Sequence, residues 1–111
     1  MLKEIKCPQL AARMIGFFLA GASGTPVLGE GQFQASETDN GVGDYSLTFV
    51  NPFHRAPVVV ATPKTADVIV RVVAVSITAV QVQCFDATDG TTPKEADLHI
   101  LVLGFDSADE Y

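Results

Sequence analysis

GVGDYSLTFVNPFHRAPVVVAT, residues 41–62, decides the fold of this chain. Tyr45, Leu47 and Phe49 alternate with Asp44, Ser46 and Thr48, and a period of two gives one strand an apolar and a polar face. Asn51-Pro52 ends that strand, because proline has no amide hydrogen to offer a ladder. Pro57 then opens the β-branched run Val58-Val59-Val60, which favours a second strand. The segment predicts a strand over 43–50, a corner, and a strand over 57–62. It holds no reactive constellation; its weight is architectural.

The same signals recur on either side. Residues 11–20 read as a buried strand, since Phe17-Phe18-Leu19 is apolar on both faces. A helix over 9–20 competes with that reading, but Gly16 and the lack of an N-cap weaken it. Gly21 to Pro26 is a turn. A strand is expected over 27–36, where Gly29 and Gly31 suggest a bulge or a close backbone crossing. Thr38-Asp39-Asn40-Gly41 reads as the next turn, because Asn-Gly supplies positive φ readily. Further on come strands over 68–77 and 80–84, joined tightly through Ser76 to Ala79, and a polar loop from Asp86 to Asp97. The last strand spans 98–105, apolar at nearly every position and therefore central, with His99 facing outward if Leu98 and Ile100 face in. About seven strands at short spacing, with turn chemistry between them, predict an all-β fold: an antiparallel β-sandwich, jelly-roll-like.

A chain of 111 residues makes one domain. Residues 1–10 read as an N-terminal arm, 11–105 as the sandwich domain and 106–111 as an acidic tail. Hydrophobic residues make up 48% of the chain and mean hydropathy is +0.29. That is more apolar surface than one modest core consumes, and a subunit interface is the expected home for the remainder. The net charge is −6, and the seven basic residues are scattered. No cluster tracks a phosphate backbone, so direct nucleic-acid binding is not expected. The run from Met14 to Ala22 behind Lys3 and Lys6 mimics a secretory leader. Arg13 abuts it, and its removal would discard a strand the domain needs, so it is read as part of the fold. It is also shorter than the ~20 residues that span a bilayer, so no membrane contact is expected.

The search for chemistry returns nothing specific. His54 and His99 have no metal-type spacing. Asp86, Asp89, Glu95 and Asp97 form a local acidic group without the regular ligand spacing of a calcium loop. No serine lies in a nucleophile elbow, and Gly21-Ala-Ser-Gly lacks the Lys-Ser/Thr and helix of a phosphate loop. Cys7 and Cys84 are read as reduced buried thiols, with a single bridge between them left open. No catalytic residue, metal or cofactor is expected, and the protein is not expected to be an enzyme.

The arrangement Gly29-Glu30-Gly31, then Gly41-Val-Gly-Asp-Tyr45-Ser-Leu-Thr-Phe49, then Phe53 and Pro57-Val-Val-Val-Ala-Thr62, resembles small β-sandwich proteins of tailed bacteriophage particles. Val102-Leu103-Gly104-Phe105 is similar to their final strand. The resemblance covers residues 13–105, and its motifs encode strand packing, not a site. It implies a virion structural protein: a capsid decoration or cement protein assembled in the host cytoplasm and held on the outer shell. The implied partner is the major capsid protein, with trimeric self-association. The alternative is a tail-fibre or receptor-binding module that recognises a host-surface glycan. The residues expected to meet a partner are Leu2 and Ile5 of the arm, Phe17, Phe18 and Phe53, and His54 with Arg55 at the corner.

Overall fold

A computed structural model describes residues 12–106. It contains eight strands: β1 (Ala12–Ala20), β2 (Val27–Leu28), β3 (Ala35–Gly41), β4 (Asp44–Phe49), β5 (Val58–Pro63), β6 (Val68–Val75), β7 (Ala79–Asp86) and β8 (Leu98–Phe105). All pairings are antiparallel. They build two four-stranded sheets, β2-β1-β8-β5 and β3-β4-β7-β6, the two layers of a β-sandwich. No helix among the described residues is long and apolar enough to cross a membrane.

The deciding stretch folds as its pattern demands. Tyr45, Leu47 and Phe49 of β4 are buried. The corner after them carries the chain from the second sheet to the first, where β5 begins. Phe53 at the corner is buried and meets the Phe49 ring edge-on, centroids 5.1 Å apart, a favoured aromatic geometry. The corner is tied to both layers: Phe53 N–H donates to Ile77 O at 2.9 Å, and His54 N–H to Phe105 O at 2.7 Å. Arg13 locks it from a third side. Its guanidinium donates to Asn51 O at 2.8 Å, lies 3.9 Å from the Phe53 ring centroid, and meets Asp106 at 2.8 Å.

Between the sheets lies one core, fed by alternate residues: Ile15, Phe17 and Leu19 from β1, Leu98, Ile100 and Val102 from β8, and Val80, Val82 and Cys84 from β7. β8 sits between β1 and β5, as its apolar run predicts. Ser76 closes the β6–β7 hairpin, its N–H donating to Ala79 O at 2.8 Å.

Two expectations need correction. The strand expected over 27–36 is two elements. β2 covers Val27–Leu28 in the first sheet and β3 starts at Ala35 in the second. Between them, Gly31 (φ 82°) passes so close to β1 that an added Cβ would meet Gly16 O at 2.8 Å, and this crossing swaps the chain between layers. The turn expected at 38–41 lies further on, at Val42-Gly43, and β3 runs through Gly41. A bulge between Asp39 and Gly41 takes up the slack, and Gly43 supplies the positive φ, 63°. Asn-Gly thus serves a bulge instead of a turn.

Candidate functional site

Strand alternation gives each sheet an inner and an outer face, and the two outer faces differ in kind. On the second sheet the outer face of β3 and β4 and most of β7 is polar: Ser36, Thr38 and Asn40, then Asp44, Ser46 and Thr48, then Gln81 and Gln83; only towards the β6 edge do Phe85, Ile69 and Val73 interrupt it. The side chains satisfy one another. Asn40 donates to Ser46 Oγ at 2.8 Å, Gln81 to Asp44 Oδ1 at 2.9 Å, Gln83 to Asp44 Oδ2 at 3.1 Å, and Arg71 to Gln83 Oε1 at 2.8 Å. Partial burial pushes the Asp44 carboxyl up, but the amide donors Gln81, Gln83 and Asn40 outweigh it and hold it below its ordinary value. This is the solvated face an antiparallel sheet normally shows to water.

The outer face of the first sheet is apolar. The register stacks its side chains in rows across three strands. Met14, Leu103 and Val58 form one row, Gly16, Leu101 and Val60 the next, and Phe18, His99 and Thr62 the third. Phe105 extends the surface beyond the first row, opposite Ala12. Met14 is 66% exposed, Val58 65%, Phe105 50% and Leu103 45%. Such a set on adjoining strands is a contiguous patch, not scattered surface leucines, and patches of this sort mark interaction sites.

The patch has relief. Gly16 leaves a dent: a Cβ added there would find no atom within 4 Å. Around it opens a groove of about 670 Å³ lined by Phe18, Val60, Leu101 and His99, with Glu30 and Lys64 at its rim. The Phe18 and His99 rings meet at a 46° tilt, 5.2 Å between centroids, and Lys64 Nζ lies 6.0 Å from the Phe18 centroid. The groove is therefore an apolar trough with two opposite charges at its edge.

Of the residues expected to meet a partner, Phe17 and Phe18 border this groove, and Phe18, half-buried, forms its wall. Phe17 and Phe53 point the other way and are core residues, 3% and 1% exposed. They cannot present a contact surface, because period two sends neighbours to opposite faces and the corner folds Phe53 between the sheets. His54 and Arg55 are exposed at the far end of β8, six residues or ~20 Å along the strand from His99. Leu2 and Ile5 lie outside the described residues, as do Cys7 and positions 107–111 of the acidic tail.

The sequence motifs place Val58, Val60, Leu103 and Phe105 in strands, but neither motif nor composition marks Met14, Val58, Val60, Leu101, Leu103 and Phe105 as a contact surface. A signal was present. β8 is apolar on both faces, and in a two-layer sandwich without covering helices one of those faces must lie outside.

Elsewhere the polar groups serve the fold. The acidic loop closes on itself: Asp89 accepts from Thr91 N–H at 2.9 Å and Thr92 N–H at 3.0 Å and bonds the Thr92 hydroxyl, which holds its carboxyl down at about 2. Glu95 accepts from Gly43 N–H at 2.6 Å, and Asp97 from Ala22 N–H at 3.0 Å. Among the described residues no three His, Cys, Asp or Glu side chains converge as a metal site would require. No family model, curated protein or solved structure matches the chain.

Proposed function

We propose that this protein is a structural subunit of a bacteriophage particle, a capsid decoration protein that binds the outer shell and works by burying surface, without a chemical step. One observation carries the assembly part of this reading: the outer face of β1, β8 and β5 is apolar in unbroken rows, while on the other sheet the outer face of β3 and β4 and the Gln81 and Gln83 side chains of β7 form a polar network, with exposed apolar side chains at the β6 edge. Leaving that apolar face in water costs roughly 25 cal/mol per Å², which covering it would recover. The phage part rests on the resemblance of residues 13–105 to virion β-sandwich proteins, and the implied partner is the shell-forming protein.

A cement protein needs a rigid body, a surface that attaches it, and solubility before attachment. The two-layer core supplies the first and the apolar face the second. The third comes from the net charge of −6, which keeps free subunits apart.

The test is the composition of density-purified particles from the phage or lysogen that encodes the chain. The protein should be present at a fixed ratio to the shell subunit, and particles lacking it should lose their contents at a lower temperature. Its absence from purified particles would contradict the proposal. Its presence on tails alone would favour the receptor-binding alternative.

A further inference from the structure

We infer that covering the apolar face requires His99 to be uncharged, so that attachment through this face weakens as the medium turns acidic. The inference rests on reading the face as the attachment surface and adds what regulates it.

Position is the first reason. β8 is the central strand of the face, between β1 and β5, and its exposed residues alternate as His99, Leu101, Leu103 and Phe105. In the three rows across these strands, His99 is the one side chain that changes charge between about pH 5 and 8. It is exposed in the free subunit, so water can solvate either form of the ring. The Phe18 ring already closes one side, 5.2 Å away between centroids. A partner laid over the rows closes the other. An imidazole taken out of water into apolar surroundings disfavours its charged form.

The charged neighbours are the second reason. β1 presents none, since its residues on this face are Ala12, Met14, Gly16 and Phe18. Just past the end of β5 stands Lys64, whose Nζ reaches across β8 to lie 6.0 Å from the Phe18 centroid. The segment between β2 and β3 supplies Glu30 at the same groove. Asp97, two residues before His99, accepts from Ala22 N–H at 3.0 Å and does not line the groove. The groove therefore holds one cation and one anion, which offset each other at the ring. What remains is the loss of water, and it opposes the imidazolium.

The direction follows by linkage. Above the range in which imidazoles take up a proton, His99 is neutral both free and covered, and attachment is full. As pH falls through that range, the free subunit binds a proton that the attached one excludes, and the association constant drops.

Full-length protein is titrated onto particle shells purified without it, at about pH 8 and about pH 5.5. Wild type should bind ~tenfold more weakly at the lower pH. His99→Gln should lose that drop and keep its melting midpoint, since position 99 is exposed. His54→Gln should retain the drop, because His54 lies off the three rows. No drop in wild type, an equal drop in His99→Gln, or tighter wild-type binding in acid would overturn the inference and leave the attachment reading standing. Shells that bind the protein at neither pH would remove the attachment reading. Retention on a phenyl-bearing resin, a neutral apolar cover, then decides the inference alone. Wild type should elute earlier relative to His99→Gln at the lower pH, and an equal shift of the two would overturn it.

Discussion

Single positions differ sharply in how much of this sandwich they hold. Gly43 turns the β3–β4 hairpin at φ 63°, and a Cβ there would lie 2.6 Å from Lys94 O and 2.7 Å from Cys84 O. Neither backbone oxygen can yield cheaply, so Gly43→Ala should lose more than about 2 kcal/mol in urea unfolding. Gly16→Ala, in open space without positive φ, should stay within about 1 kcal/mol of wild type or gain stability. Tyr45 joins three segments: its buried hydroxyl lies 3.5 Å from Gly21 O and accepts from Ala96 N–H at 3.3 Å. Tyr45→Phe strands that amide and should cost about 1–2 kcal/mol by the same measurement. Burial also pushes the Tyr45 hydroxyl up to about 12, and burial, with Glu95 and Asp44 nearby, pushes the Cys84 thiol up to about 12. Both groups are neutral in the fold and ionise more readily in the unfolded chain. Their contribution is intact below the unfolded values, near 9 and 10, and is lost as pH climbs towards 12. The melting midpoint should therefore fall from pH 9 upward, and Cys84→Ala should flatten the first part of that fall. A parallel decline in the variant would contradict the burial argument for Cys84.

At the scale of elements, the sequence is legible where alternation is clean and misleading where glycine or β-branched runs are read alone. β4 shows its facing at every position, and Phe49→Ala should cost about 3–5 kcal/mol because the side chain is buried against Phe53. A small shift in thermal midpoint would contradict that facing. β6 is less readable, since Val72-Val73-Ala74-Val75 has no polar marker. The structure puts a bulge between Val72 and Ala74, so Val75 and not Ala74 returns to the core. The split between β2 and β3 escapes local reading for a related reason. What ends β2 is the close passage of Gly31 over β1, a contact between segments fifteen residues apart. The candidate face was hidden in the same way. Val58, Val60, Leu101 and Leu103 look like core residues along the chain, and only the register of β1, β8 and β5 shows that they share the outside.

For the whole molecule, the two outer faces divide the labour. The polar network keeps its hydrogen bonds to itself, with Asp44 at its centre, and most other acidic groups lie in β3, β7 and the connecting loops. The apolar face is left to be covered, which explains the high mean hydropathy of so small a chain. The central claim is that covering this face is what the protein does. The most direct measurement compares two folded variants for incorporation into purified particles: Leu103→Asp on the apolar face and Thr48→Asp on the polar face. Leu103→Asp should keep the wild-type melting midpoint and be missing from particles, while Thr48→Asp is incorporated normally. A folded Leu103→Asp protein at wild-type occupancy would contradict the account.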